Sequence, residues 1–200
     1  MGNRRTFWIG LIFFVALAIL SVVACQLRVP GPISVRYDVG VSTSSGKCII
    51  VQAHLSGLSA GPNRLVLFDE WGDASDLSDQ IRWMRVGEVQ GVRGEVGTEA
   101  GYGDQSVATW SVDVPRGGEV DVEYCVDLSG EDGTVPSGIW SDHGLVLSRS
   151  LFVFPVAWIA DMRTPLDGHI SVEVSSPQDW AVYAPWTMDE TGVFRPESLE

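Results

Sequence analysis

The apolar positions of this chain follow two different patterns. From Phe7 to Ala24 no residue is charged and most are apolar. After residue 33 apolar residues alternate with polar or small ones in short runs. A period of two is the mark of strands with one buried face. Val35, Tyr37, Val39 and Val41 alternate in this way, and similar runs occupy 48–55, 64–68, 80–86, 107–114, 119–128, 145–154, 169–174 and 180–184. Turn-forming residues separate them, as at Pro115-Arg116-Gly117-Gly118. No segment carries a sustained 3.6-residue apolar stripe; 155–162 has room for one helical turn or two. The glycine-rich stretch 87–103 reads as a bulged strand or a loop. The pattern predicts one all-β domain, a single antiparallel β-sandwich of about nine strands, with no internal repeat.

The first 25 residues form a separate unit. Arg4 and Arg5 precede the apolar run and no acid does. A basic start followed by an apolar core is an export signal. The run of 18 uncharged residues is long for a cleaved signal and nearly long enough to span a bilayer as a helix. Val22-Val23-Ala24-Cys25 resembles the lipobox of bacterial lipoproteins, although leucine is more usual than Val22. That resemblance implies a diacylglyceryl group on Cys25 and cleavage just before it. The alternative is an uncleaved signal-anchor helix. Either leaves Arg4 and Arg5 inside and the domain outside the cytoplasm, in the bacterial cell envelope. Met1-Gly2-Asn3-Arg4-Arg5-Thr6 also fits an N-myristoylation pattern, but so early an apolar segment diverts the chain to export. The expected organisation is a signal or anchor at 1–25, a short two-proline tether at 26–32, and the sandwich at 33–200.

Charge narrows the partners. Lys and Arg total 13 against 26 acids, a net charge of −13, and Lys47 is the only lysine. Such a chain has no basic stripe for nucleic acid. Residues 1–24 hold two arginines and no acid, so the remainder carries 11 basic and 26 acidic residues, a net −15. That charge favours solubility and holds the domain off anionic headgroups. Membrane contact falls to the lipid or the helix.

Of the three cysteines, Cys48 and Cys125 remain if Cys25 is lipidated, the even number expected outside the cytoplasm. Cys48 falls on the face opposite Ile49, Val51, Ala53 and Leu55. Cys125 falls opposite Val120, Val122, Tyr124 and Val126. Both thiols are therefore expected on outward faces. They can form a disulfide if their strands are neighbours, and are otherwise two unpaired thiols.

Site chemistry is sparse. His54, His143 and His169 are far apart, without the His-Glu-x-x-His spacing of a helical zinc site. Each reads more simply as a surface or boundary histidine, and no metal or cofactor is expected. Five acids between Asp69 and Asp79 could ligate calcium, but the spacing is not an EF-hand and a solvated acidic loop is the plainer reading. Asp127, Glu131 and Asp132 form a weaker cluster of the same kind. There is no Gly-x-Ser-x-Gly, and Ser137, Ser141 and His143 stand in a turn-like stretch. Trp83 and Trp110 read as packing residues. Trp71, Trp140 and Trp186 lie at strand ends beside Gly, Pro and acids, where they could form a platform for a glycan or peptide; edge packing is the plainer reading.

The order of these features resembles the N-terminal β-sandwich domain of the glycyl aminopeptidase family of zinc metallopeptidases. The resemblance rests on the strand from Val35 to Val41, on Leu65-Val66-Leu67-Phe68-Asp69-Glu70-Trp71-Gly72, on Trp110-Ser111-Val112 with Val120-Asp121-Val122-Glu123-Tyr124-Cys125-Val126, on Ile170-Ser171-Val172-Glu173-Val174 with Pro177-Gln178-Asp179-Trp180, and on Phe194-Arg195-Pro196. In that family a zinc catalytic domain follows and packs against this one. Its His-Glu-x-x-His helix has no counterpart here, so no catalytic residue carries over. The resemblance implies a non-catalytic, membrane-anchored module, expected to be a fragment of a longer peptidase. The alternative is a stand-alone lipoprotein binding a glycan or peptide through its loop tryptophans.

Overall fold

A computed structural model describes residues 32–42, 48–70, 76–87, 89–90, 96–98, 106–127, 138–139, 144–145, 151–161, 169–177 and 180–196. They belong to one compact unit, Pro32–Glu200. Fourteen strands occur among them: β1 (Ser34–Ser42), β2 (Cys48–Ser56), β3 (Gly61–Phe68), β4 (Ile81–Val86), β5 (Val89–Gln90), β6 (Val96–Thr98), β7 (Ser106–Val114), β8 (Val120–Asp127), β9 (Gly138–Ile139), β10 (Gly144–Leu145), β11 (Phe154–Pro155), β12 (Ile170–Ser175), β13 (Thr187–Met188) and β14 (Phe194–Arg195). The long strands fall where alternation predicts them. Seven of the fourteen are two or three residues long, too short to show a period.

An eight-stranded sheet has the order β13-β14-β12-β1-β2-β8-β4-β5, and a four-stranded sheet the order β11-β3-β7-β6; β9 and β10 form a separate hairpin. The inward side chains of the two sheets merge into one core. Val35, Tyr37 and Val39 of β1, Val51, Ala53 and Leu55 of β2, and Val122, Tyr124 and Val126 of β8 face Leu65 and Leu67 of β3 and Trp110 and Val112 of β7. The expected all-antiparallel arrangement is corrected at one place. β12 runs parallel to β1, with Val35 opposite Ile170 and Val39 opposite Val174. A parallel pair needs a crossover rather than a hairpin. Here the chain passes through the other sheet before β12 begins.

Two expected strands differ. Among the described residues of the run 145–154, Leu145 and Phe154 lie in ladders and 151–153 do not. Tyrosine hydroxyls take the place of a ladder there. Tyr37 donates to the carbonyl of Val153 at 2.9 Å, and Tyr124 donates to the carbonyl of Leu151 at 2.7 Å while accepting the N–H of Val153 at 3.1 Å. Residues 180–184 are irregular as well. A turn closes just before them, Trp180 N–H to Pro177 O at 2.9 Å, and Pro185 follows. The helical turn expected at 155–162 is a 3-10 helix, Val156–Asp161, which lies against β3. With the Phe154 ring tilted against Phe68 at 5.4 Å, this segment helps cover the second face of β3. Leu65, Val66, Leu67 and Phe68 are accordingly all buried, and the strand reads as a continuous apolar run.

Candidate functional site

The face of the large sheet turned away from the core carries its charge. Register fixes who meets whom. Arg36 lies opposite His54, and His54 opposite Asp121. In the next row Asp38 lies opposite Gln52, Gln52 opposite Glu123, and Glu123 opposite Arg85. Arg36 donates to both oxygens of Asp38, at 3.1 and 2.8 Å. This hydrogen-bonded carboxylate, helped by the charge of Glu173, raises the Arg36 pKa still further. His54 Nδ1 stands 2.6 Å from Asp121 Oδ1, and Arg85 Nη2 2.6 Å from Glu123 Oε2. Arg85 also stacks over Trp83 at 4.9 Å. Arg36, Asp38, Gln52, His54, Asp121 and Glu123 line a shallow depression of about 490 Å³.

These ion pairs are solvent-accessible, so screening leaves each a minor contributor to the fold. They order a polar surface that can hydrogen-bond a ligand through Gln52 and the second ring nitrogen of His54. It holds no activated nucleophile among the described residues. Among the described residues no hydroxyl or thiol is hydrogen-bonded to His54, and the nearby serines bond each other, Ser34 Oγ to Ser56 Oγ at 2.7 Å. Nor does any group of three or more His, Cys, Asp and Glu among the described residues stand ready to hold a metal.

Cys25, Trp71, Trp140, His143, Ser137, Ser141, Glu131 and Asp132 lie outside the described residues. Trp186 is half-buried. Its ring packs 5.9 Å from Phe152 and 6.5 Å from Phe194, and Phe152 packs 4.5 Å from Tyr37. It is the rim of the aromatic core. Cys48 and Cys125 are joined in a disulfide across adjacent strands, with a Cα–Cα distance of 5.9 Å. They face away from the core side of the sheet, and both are nonetheless buried. Cys48 is 4% exposed and Cys125 1%. The acidic loop is corrected at its first residue. Asp69 is buried, and it accepts the N–H of Ser78 at 2.9 Å through its side chain and that of Leu77 at 3.1 Å through its backbone. It secures the 3-10 helix Leu77–Gln80 rather than standing in solvent.

Sequence reasoning singled out none of Arg36, Asp38, Gln52 and Glu123. Their signal is the polar half of the alternation on β1, β2 and β8. Which polar residue meets which depends on register, and register is set by pairing between strands distant in sequence.

No protein-family model matches this chain, and no curated protein matches it. Among solved structures it is similar to the crystal structure of an aminopeptidase N family protein from Idiomarina loihiensis, with a TM-score of 0.57 and 13% identity. The match covers 82% of this chain and 27% of that one, so the chain corresponds to about a quarter of its structural relative. At this identity the likeness is one of fold. The fold is that of an aminopeptidase-like β domain, the coarser part of what the sequence resemblance implied.

Proposed function

We propose that this chain is the non-catalytic β-sandwich module of a glycyl aminopeptidase-type zinc metallopeptidase, held at the outer side of a bacterial membrane. The observation that carries the reading is the match of most of this chain to about a quarter of an aminopeptidase N family protein. A domain-sized match inside a larger enzyme suits a module that works beside a catalytic domain. The basic and apolar start of the chain, ending at Cys25, supplies the anchor by lipid or by helix. The module itself contributes packing and shape, and the zinc chemistry belongs to its neighbour.

Native mass spectrometry of the protein extracted from its own membrane tests this, together with its zinc content. The expected species is several hundred residues heavier than this chain, covalently or as a complex, and binds zinc. A species of residues 25–200 plus lipid, without zinc or partner, overturns the reading and leaves a stand-alone lipoprotein.

A further inference from the structure

The polar depression on the outer face of the large sheet has no part in the reading above, yet it has the build of a ligand site. Its volume of about 490 Å³ falls within the range of small-molecule sites, about 300–1,000 Å³. The floor is rigid, because β1, β2 and β8 each have a paired strand on both sides. The side chains are held as well. Both oxygens of Asp38 fix Arg36, and Asp121 fixes His54. Arg85, seated over the Trp83 ring, fixes Glu123. Groups already ordered lose little freedom when a ligand arrives.

What these bonds leave over selects the ligand. Gln52 sits at the centre, opposite Asp38 on one side and Glu123 on the other. It is exposed, and among the described residues no hydrogen bond engages its amide. That amide offers a carbonyl oxygen and an NH2 side by side. His54 Nε2, Asp121 Oδ2 and Glu123 Oε1 also have no partner among the described residues. One arginine and three carboxylates line the depression, which repels an anion. Each of those carboxylates already has an N–H partner, in Arg36, His54 or Arg85. An incoming cation would have to compete with these, and it would leave the Gln52 NH2 without an acceptor. A hydroxyl group satisfies every one of these groups, since it donates to an oxygen and accepts from an amide. The row Arg36–His54–Asp121 crosses three strands, about 10 Å, which is wider than one sugar ring. We propose that this depression binds a neutral glycan, whose hydroxyl groups bond Gln52, His54, Asp121 and Glu123. The proposal does not depend on the metallopeptidase reading, since no contact with a catalytic domain enters it.

The test is an NMR titration of the 200-residue chain, held in a detergent without sugar headgroups. The probes are maltotetraose, cellotetraose and triacetylchitotriose, with spermidine as the competing cation. At least one oligosaccharide is expected to give saturable shifts at the backbone amides of Gln52, His54, Asp121 and Glu123. Gln52→Ala should leave Tm unchanged, because the side chain is exposed, and should weaken that binding about tenfold through loss of a donor and an acceptor. Gln52→Glu should weaken the oligosaccharide as well, since it removes the only NH2 at the centre. No saturable shift with any of the oligosaccharides overturns the proposal. So do shifts that saturate elsewhere on the chain, or an oligosaccharide that binds Gln52→Ala as tightly as the unmodified protein. Saturation of the same amides by spermidine alone, tightened by Gln52→Glu, overturns it in favour of a cation site.

Discussion

Tyr37 and Tyr124 stand on strands separated by β2, yet their hydroxyls bond the same short backbone segment, at the carbonyls of Val153 and Leu151. Both rings are fully buried. The small Ala53 lies opposite Tyr37, and Val51 lies opposite Tyr124. Two side chains of one sheet thus do for 151–153 what a ladder partner would do, and lead the chain into β11 of the other sheet.

Tyr124→Phe strands two buried backbone groups, the Leu151 carbonyl and the Val153 N–H, whereas Tyr37→Phe strands one. An unsatisfied buried group costs about 1–3 kcal/mol. Urea denaturation is expected to show Tyr124→Phe as the more destabilising change. The double variant should depart from additivity, because both hydroxyls hold one segment. An ordering with Tyr37→Phe worse would mean that the Tyr124 bonds carry little net energy.

Alkaline pH should act on the same pair. Burial pushes both phenols well above their usual pKa near 10, and the Val153 N–H only partly offsets this at Tyr124. A folded-state pKa above the unfolded value means that the stability is fully present below about pH 10 and is lost as pH climbs through the folded value. Denaturation midpoints measured from pH about 9 to about 11 should fall, and fall less steeply in the Tyr37→Phe, Tyr124→Phe double variant. A flat profile for the unmodified protein would sink this account.

Gly118 closes the β7–β8 turn with a φ of +73°. It is wedged against Leu58, whose N–H bonds the Gly118 carbonyl at 3.1 Å. A Cβ at this position would lie 2.7 Å from the Leu58 carbonyl oxygen. Gly118→Ala therefore meets both a disfavoured backbone and a clash with main chain, at about 1–3 kcal/mol. Gly117→Ala is the control, since nothing lies within 4 Å of a Cβ there; its thermal midpoint should stay near that of the unmodified protein.

Asp189 organises the turn between β13 and β14. Its carboxylate accepts the Thr191 hydroxyl at 2.6 Å and the N–H groups of Thr191 and Val193 at 2.9 and 3.1 Å, and pairs with Arg195. These bonds, led by the Thr191 hydroxyl, lower its pKa from 3.8 to about 2. The depressed value means that its contribution is present above 3.8 and is lost as pH falls through about 2. An NMR titration should place the Asp189 midpoint near 2, and Asp189→Asn should remove that part of the acid sensitivity. A midpoint near 4 would show that the turn does not hold the carboxylate.

The disulfide links residues 77 apart. Closing so long a loop restricts the unfolded chain, and its removal is expected to cost roughly 2–5 kcal/mol. Comparing the Cys48→Ala, Cys125→Ala double variant with the unmodified protein under oxidising conditions checks this. Equal stabilities would mean that the two cysteines contribute no cross-link.

By itself the sequence determined the class of fold and the faces of its long strands. Period-two alternation is a local property, and β1, β2, β7 and β8 carry it plainly. The turn at 115–118 was equally legible, because proline and glycine act on their own backbone. Only the tertiary structure decided the rest. The parallel seating of β12 beside β1, the row Arg36–His54–Asp121 and the bridging of Cys48 to Cys125 all depend on register between strands far apart in sequence. Residues 151–153 and 180–184 are apolar enough for strands, but a strand also needs a partner for its backbone. At 151–153 tyrosine hydroxyls took that part, and at 180–184 the Pro177 turn and Pro185 closed it off. The same loss of a ladder leaves Tyr183 in solvent, an exposure set by how the chain returns to the sheet edge rather than by the residues themselves.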